Sequence, residues 1–93
     1  MRTNIKSNEE VLNNMVAVLG GVDVLNKGYY YVVETNKGIF EIYNIGNDAF
    51  TIKDNYENYE YEFKAFSNEQ LKEEIKEFFN FHKIKVKSIS LAG

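Results

Sequence analysis

Two segments of the chain show apolar residues at helical spacing. In "SNEEVLNNMVAVLGG" and in "SNEQLKEEIKEFF", apolar residues recur every three or four positions, with charged and amide residues between them. Each segment opens with a serine, Ser7 or Ser67, followed three residues later by Glu10 or Gln70, which is the spacing of a capping box. We therefore predict two amphipathic helices, the first of which ends at the pair Gly20-Gly21.

Between the two helices, the pattern changes to short apolar stretches separated by turn residues. Asn26-Lys27-Gly28 and Asn36-Lys37-Gly38 each suit a three-residue hairpin loop with a left-handed glycine, and a third turn lies at Gly46-Asn47-Asp48. A long strand is expected from Glu57 to Phe66, and "KIKVKSISL" predicts a last strand after the second helix. The prediction is a single α+β domain over residues 1–93. Its mainly antiparallel sheet, a meander of about four strands plus a C-terminal strand, packs with two helices.

The pairing of the first two strands determines what each sheet face carries. If Thr35 and Ile39 flank the second turn, Tyr31 faces Tyr43 and both sheet faces are substantially apolar. Two helices then either cover one face each or pack together on one face. The second arrangement leaves a tyrosine-rich face open, which is unusual for an antiparallel sheet in water.

Composition removes several classes of function. The 93 residues include no cysteine, so disulfides, thiolate metal sites and a cysteine nucleophile are excluded. The N-terminal residues lack the apolar core of a signal peptide, and no run is long enough for a membrane span, so a soluble cytoplasmic protein is expected. Abundant Asn, Lys, Ile and Tyr, with no proline, are typical of coding in an AT-rich genome.

Candidate catalytic or metal-binding chemistry is sparse. His82 is the single histidine and lies at the predicted end of the second helix, where we interpret it as a capping or surface residue. Carboxylate pairs such as Glu73-Glu74 lie on a charged helix and are interpreted as solvated surface. We therefore predict a protein that is not an enzyme and that needs no metal and no cofactor.

The formal charge of −3 is distributed unevenly. Residues 54–77 carry a net charge of −5, whereas Lys83, Lys85 and Lys87 follow with no acid. With nearby tyrosines, these lysines would suit weak binding of a single-stranded nucleic acid. Lysines that alternate along an edge strand also deter edge-to-edge aggregation, and we favour this interpretation.

The stretch "DNYENYEYEF" alternates acids or amides with aromatic rings from Asp54 to Phe63. On a strand its rings and carboxylates lie on opposite faces, so either the rings are core and the glutamates meet water or a partner, or the tyrosines form the binding surface. Tyrosine is favoured in interfaces, and carboxylates steer a basic partner. The predicted partner-binding residues are tyrosines and glutamates of the sheet: Tyr29, Tyr31, Tyr43, Tyr56, Tyr59, Tyr61, Glu57, Glu60 and Glu62.

Taken as a class, a small chain of this composition with an acidic aromatic strand resembles phage-encoded inhibitors of host defence, including anti-CRISPR proteins. The functional prediction is a small protein-binding module that inhibits or modulates another protein with a basic surface. Two alternatives stay open. One is a self-associating structural protein that forms a homodimer through the sheet, and the other is the weak nucleic-acid binder that uses the C-terminal lysines.

Overall fold

The computed structural model describes residues 7–54 and 59–93 and confirms the α+β class. Five strands form one antiparallel sheet in the order β4-β3-β2-β1-β5. In chain order the elements are α1 (Asn8–Asn14), a π-helical segment (Met15–Leu19), α2 (Val22–Asn26), β1 (Tyr30–Thr35), β2 (Gly38–Gly46), β3 (Ala49–Asp54), β4 (Tyr59–Lys64), α3 (Asn68–Phe81) and β5 (Val86–Ala92).

The two long helical segments begin at the predicted serines. The Ser7 hydroxyl accepts a hydrogen bond from the Glu10 amide, and the Glu10 carboxylate accepts one from the Ser7 amide, so the capping box is confirmed. The Ser67 hydroxyl likewise accepts from the amide of Gln70. The Gln70 side chain accepts from the amide of Phe66, one residue before the position that a capping box uses.

The predicted pairing of β1 with β2 is wrong by one residue. Tyr31 pairs with Ile42 instead of Tyr43, and Val33 pairs with Phe40 instead of Glu41. The cause is Gly38, which has a φ of +108° and pairs with Thr35, so it belongs to the ladder and not to the loop. Because side chains alternate with a period of two, this shift moves every β2 side chain to the other face relative to β1.

The tripeptide Asn26-Lys27-Gly28 does not form the predicted hairpin loop. It ends α2: the Gly28 amide donates to the carbonyl of Leu25, and the Tyr29 amide donates to the carbonyl of Val24. This pair of hydrogen bonds is a Schellman motif, with Gly28 at a φ of +101°. The same three residues thus end a helix in one place and turn a hairpin in the other, because the preceding residues differ.

The predicted turn at Gly46-Asn47-Asp48 is present between β2 and β3. Asn47 and Asp48 have φ values of 54° and 61°, as the two central residues of a type I′ turn require.

The strand expected from Glu57 to Phe66 is described from Tyr59 to Lys64. Tyr56 and Glu57, two of the predicted partner-binding residues, lie outside the described residues.

The helices pack together on one face of the sheet, which we call the covered face. There, Phe40 meets Phe78 and Phe79 edge to face, with ring centroids 6.1 and 5.2 Å apart. The core consists of buried apolar residues from both layers: Leu12, Met15, Leu25, Tyr31, Val33, Phe40, Ile42, Phe50, Ile52, Phe63, Ala65, Leu71, Ile75, Phe78, Phe79, Ile84 and Val86. No helix in the described ranges combines the length and the apolar character needed to cross a bilayer.

The other side of the sheet is the open face. Apart from Thr51, every described side chain on it is at least partly accessible to solvent. Its paired members alternate with covered-face residues along each strand: Tyr30, Val32, Glu34, Ile39, Glu41, Tyr43, Ala49, Thr51, Lys53, Glu60, Glu62, Lys64, Ser88, Ser90 and Ala92. Ile45 is exposed and lies at the bulge between Asn44 and Gly46, next to Tyr43 along β2. The arrangement in which both helices share one face is therefore the one observed.

Candidate functional site: the open face of the sheet

The strand pairing arranges the open face in rows that cross the sheet. One row runs from Ser90 on β5 through Val32, Glu41 and Lys53 to Glu60 on β4. The next row consists of Ala92, Tyr30, Tyr43, Thr51 and Glu62. The larger apolar side chains of the two rows, Val32, Tyr30 and Tyr43, lie on β1 and β2, while β4 contributes carboxylates at the edge of the sheet.

The central strands expose more apolar surface than the fold requires. Ile39 and Ile45 on β2 retain 47% and 44% of their accessible surface, and Tyr30, Val32 and Tyr43 are half-buried between them. The strand pairing sets the positions of four of them, and Ile45 lies at the bulge between Asn44 and Gly46 on β2. Such a group forms an apolar patch of the kind that marks interaction surfaces in soluble proteins.

The charges on the open face are predominantly negative. Its described residues include four carboxylates, on Glu34, Glu41, Glu60 and Glu62, and two ammonium groups, on Lys53 and Lys64. Lys53 stands in register between Glu41 and Glu60, so one cation faces two anions across the strands. The face therefore favours an approaching surface of positive charge.

A concavity at one end of the open face is walled by tyrosines. It has a volume of about 300 Å³, and its lining includes Tyr29, Tyr30, Tyr43 and the Glu41 side chain. At its rim, the Asn44 amide donates a hydrogen bond of 3.0 Å to the side chain of Asn26. Aromatic rings with a carboxylate among them attract a guanidinium or ammonium group, since the ring faces and the carboxylate are both negative.

The structure places two of the predicted tyrosines, Tyr29 and Tyr43, around this concavity, but it buries Tyr31. Tyr31 is fully inaccessible, and its hydroxyl donates a hydrogen bond to the carbonyl of Gly20. Burial raises the pKa of this phenol well above its usual range. Tyr31 is thus a core residue, because the shift at Gly38 pairs it with Ile42 on the covered face.

Tyr59 and Tyr61 also lie on the covered face, beneath α3. Their ring centroids are 6.2 and 5.2 Å from that of Phe78, and the Tyr61 hydroxyl is 3.5 Å from the Glu74 carboxylate. Burial and, secondarily, the Glu74 charge raise the pKa of Tyr61. Glu60 and Glu62 point the opposite way, to the open face. The rings and carboxylates of this strand therefore do not share a surface.

Sequence reasoning missed Tyr30, Val32, Ile39, Glu41 and Ile45 as members of the candidate surface. The signal that identifies them is Gly38, whose left-handed conformation inside the ladder sets the pairing of β1 with β2. Without that shift, the apolar residues divide between the faces differently. The surface is therefore a consequence of register rather than of composition.

His82 lies away from the open face, at the end of α3. Its ring centroid is 4.6 Å from that of Phe78, and its carbonyl accepts a hydrogen bond of 3.4 Å from the Lys37 ammonium. Within residues 7–54 and 59–93, no three His, Cys, Asp or Glu side chains converge as metal ligands would.

Comparison with known proteins finds no matching protein family, no matching curated protein and no matching solved structure.

Proposed function

We propose that this protein is a non-enzymatic binding module that docks its open face onto a basic surface of another protein and thereby inhibits or modulates it. The observation that carries the proposal is the open face itself, where partly or fully exposed apolar side chains on β1 and β2 share a surface with carboxylates on β4. An apolar centre with a polar, charged rim is the usual anatomy of a protein–protein interface.

The tyrosine-walled concavity supplies an anchoring point. An arginine of the partner would place its guanidinium against Tyr30 and Tyr43 and form a charge-assisted hydrogen bond to Glu41, all of which line the same 300 Å³ space. Central pockets that receive an arginine or an aromatic side chain hold most of the binding energy in many interfaces. The surrounding residues Ile39 and Ile45 would exclude water around this contact.

The carboxylates of β4 have a different task. Glu60 and Glu62 are both exposed and lie two residues apart at the edge of the open face. Exposed charges contribute modestly to affinity but accelerate association with a surface of opposite sign. If the partner binds nucleic acid, these carboxylates would compete with phosphates for its basic groups, which is a direct route to inhibition.

A partner of opposite charge fits the open face better than a second copy of this chain. Two open faces packed together would bring their net negative charges into one interface, and opposed like charges cost free energy. Sedimentation of the purified protein separates the cases. If the protein forms a concentration-dependent dimer and Tyr43→Asp converts it to a monomer, the open face is a self-association surface.

The experiment compares immobilised wild-type protein with a variant that carries Ile39→Asp and Ile45→Asp, both at exposed positions where folding is little affected. We expect the wild-type protein to retain a basic partner from a host lysate and the variant to lose it. The control is Phe66→Asp with Phe81→Asp, since both phenylalanines are exposed outside the open face. Retention of the same partner by the Ile39 and Ile45 variant would contradict the proposal.

Charge reversal then tests the role of β4 with the captured partner. Glu60→Lys combined with Glu62→Lys should slow association by about tenfold at low salt and reduce the dependence of the rate on salt, whereas the dissociation rate should change less. Lys64→Glu on the same strand is the matched control and should accelerate association. Rates that are unaffected by either change would remove the electrostatic part of the proposal.

A further inference from the structure

The β5 strand forms an edge of the sheet. It pairs with β1 on one side, and no strand of the described residues pairs with its other side. On such an edge, alternate backbone N–H and C=O groups point away from the sheet and can pair with another extended chain. The first outward group is already used, because the Val86 amide donates to the side chain of Asn8 at 3.0 Å.

A groove runs beside this edge, between β5 and the first helical segment. Its volume is about 360 Å³, and its walls come from the helical residues Val11, Asn14, Met15, Val18 and Leu19 and from Lys87, Ser88 and Ile89 of β5. Val18 keeps 76% of its accessible surface, whereas Met15, Val16 and Leu19 of the same segment are buried in the core or pack against it. The helical wall includes the π-helical segment Met15–Leu19, and π-helical turns occur frequently at functional sites.

The side-chain alternation of β5 matches this groove. Ile89 and Leu91 lie on the covered face, towards the helices, while Ser88 and Ser90 lie on the open face. A chain added beside β5 would follow the same period of two. Every second side chain of that chain would enter the groove between Ile89 and Val18, and the intervening side chains would meet solvent.

A bulge at one end of β5 limits where an added chain could pair, and the charge at that end favours acidic residues in it. Ser88 pairs with Glu34 and Val86 pairs with Thr35, so Lys87 is the extra residue of a bulge at one end of the edge. From residue 83 to residue 93 the chain holds three lysines and no acid. Of the three lysines expected to deter edge pairing, only Lys87 lies on β5, so it would repel a basic residue at the nearest end of an added chain and attract an acidic one.

We propose that the β5 edge takes up an extended, acidic segment of a partner protein as an additional antiparallel strand. Its alternate apolar side chains occupy the groove against Val18 and Ile89, and its acidic end lies opposite Lys87. Strand addition of this kind derives its affinity from main-chain hydrogen bonds and its specificity from pockets for alternate side chains. This site is separate from the open face and does not depend on the function proposed for that face.

The probe is a displayed library of short random peptides, selected on the full-length protein. We expect the selected peptides to alternate apolar and polar residues and to end in an acidic residue at the C-terminal side, as antiparallel addition requires. In fluorescence anisotropy, Val18→Asp should weaken a selected peptide by at least about tenfold, and Lys87→Glu by about two- to fivefold, as for an exposed ion pair. Ile45→Asp, at an exposed position on β2 outside the groove, is the control and should leave the affinity unchanged.

A second measurement tests the main chain. A selected peptide that is N-methylated at its apolar residues keeps its side chains but loses the N–H donors that face Ile89 and Leu91, and we expect its binding to be abolished. Undiminished binding of this peptide, or a larger effect from Ile45→Asp than from Val18→Asp, would overturn the proposal. Failure to select any alternating acidic peptide would also overturn it, and so would self-association that Val18→Asp removes, because the occupant would then be a second copy of the chain.

Discussion

The two faces of the sheet are built from alternate residues of the same strands, yet they differ in how apolar and polar residues are distributed. On β4 the division is clean, with Tyr59, Tyr61 and Phe63 beneath α3 and Glu60 and Glu62 on the open face. On β1 and β2 it is not, because both faces are apolar. An antiparallel sheet covered on one side normally presents polar residues on the other. The apolar residues at the centre of the open face are therefore surplus to the fold, which is why we assign them to binding.

The two faces also differ in how their buried polar groups are satisfied. On the covered face, the buried Tyr31 hydroxyl donates to the carbonyl of Gly20. On the open face, Thr51 is the one fully buried residue, and its hydroxyl has no hydrogen-bond partner among the described residues. A protein interior rarely leaves such a group unpaired. The buried hydroxyl of the covered face is thus paired within the core, whereas that of the open face is not.

The largest difference should appear when isoleucines of one strand are compared across the two faces. Ile42→Ala on the covered face removes a fully buried side chain and should lower the free energy of unfolding by about 2–5 kcal/mol. Ile39→Ala on the open face should change it by less than about 0.5 kcal/mol. Urea denaturation of both variants checks this. Similar losses for the two would mean that the open face is packed in solution.

Alkaline pH should destabilise the covered face through Tyr31. Its pKa is raised in the folded state, so the folded protein keeps this proton above pH 10, while the unfolded chain releases it. Stability from this group is therefore complete below pH 10 and is lost as pH rises, by about 1.4 kcal/mol per pH unit. Denaturation at a series of pH values on wild type and on Tyr31→Phe measures the effect. Parallel pH profiles for the two proteins would refute it.

Removing the unpaired hydroxyl of the open face should stabilise the protein. Thr51→Val keeps the shape of the side chain and eliminates a buried polar group without a partner, so we expect the free energy of unfolding to rise by about 1 kcal/mol. The control is Thr35→Val, since the Thr35 hydroxyl donates to the carbonyl of Gly38 and accepts from the amide of Lys37. That variant should lose about 1 kcal/mol. A loss of stability in Thr51→Val as well would indicate that its hydroxyl is bonded in solution.

The smallest effect should come from the charge row of the open face. Lys53→Gln removes the cation that stands in register between Glu41 and Glu60, and we expect a loss of about 0.2–1 kcal/mol that shrinks as salt is added. The same variant makes the face more acidic and should bind a basic partner faster. Thermal denaturation at low and high salt measures the stability term. A loss that does not depend on salt would show that the Lys53 side chain acts through packing alone.

Local signals were sufficient for much of this architecture. Ser7 and Ser67 begin their helices as predicted, since a side-chain cap depends only on residues within one turn. The alternation of Tyr59, Glu60 and Tyr61 predicts that the rings and the carboxylates lie on opposite faces of the sheet, because the side-chain period of a strand is a local property. The turn at Asn36-Lys37-Gly38 is also predicted from its residues, but the sequence does not show that Gly38 pairs with Thr35.

The remaining features required the tertiary structure. Whether Gly38 belongs to the loop or to the ladder changes the register by one residue. In the structure Gly38 pairs with Thr35, and this register directs Phe40 and Ile42 to the covered face, where both pack in the core. The same packing placed Tyr31 in the core and left Tyr30 and Tyr43 on the open face. The amino-acid sequence by itself determined the two long helical segments, the strands that lie between and after them, and the two-sided character of β4, but not α2. Only the docking of both helices on one face decided which residues remain available to a partner, because burial depends on contacts between residues that are distant along the chain.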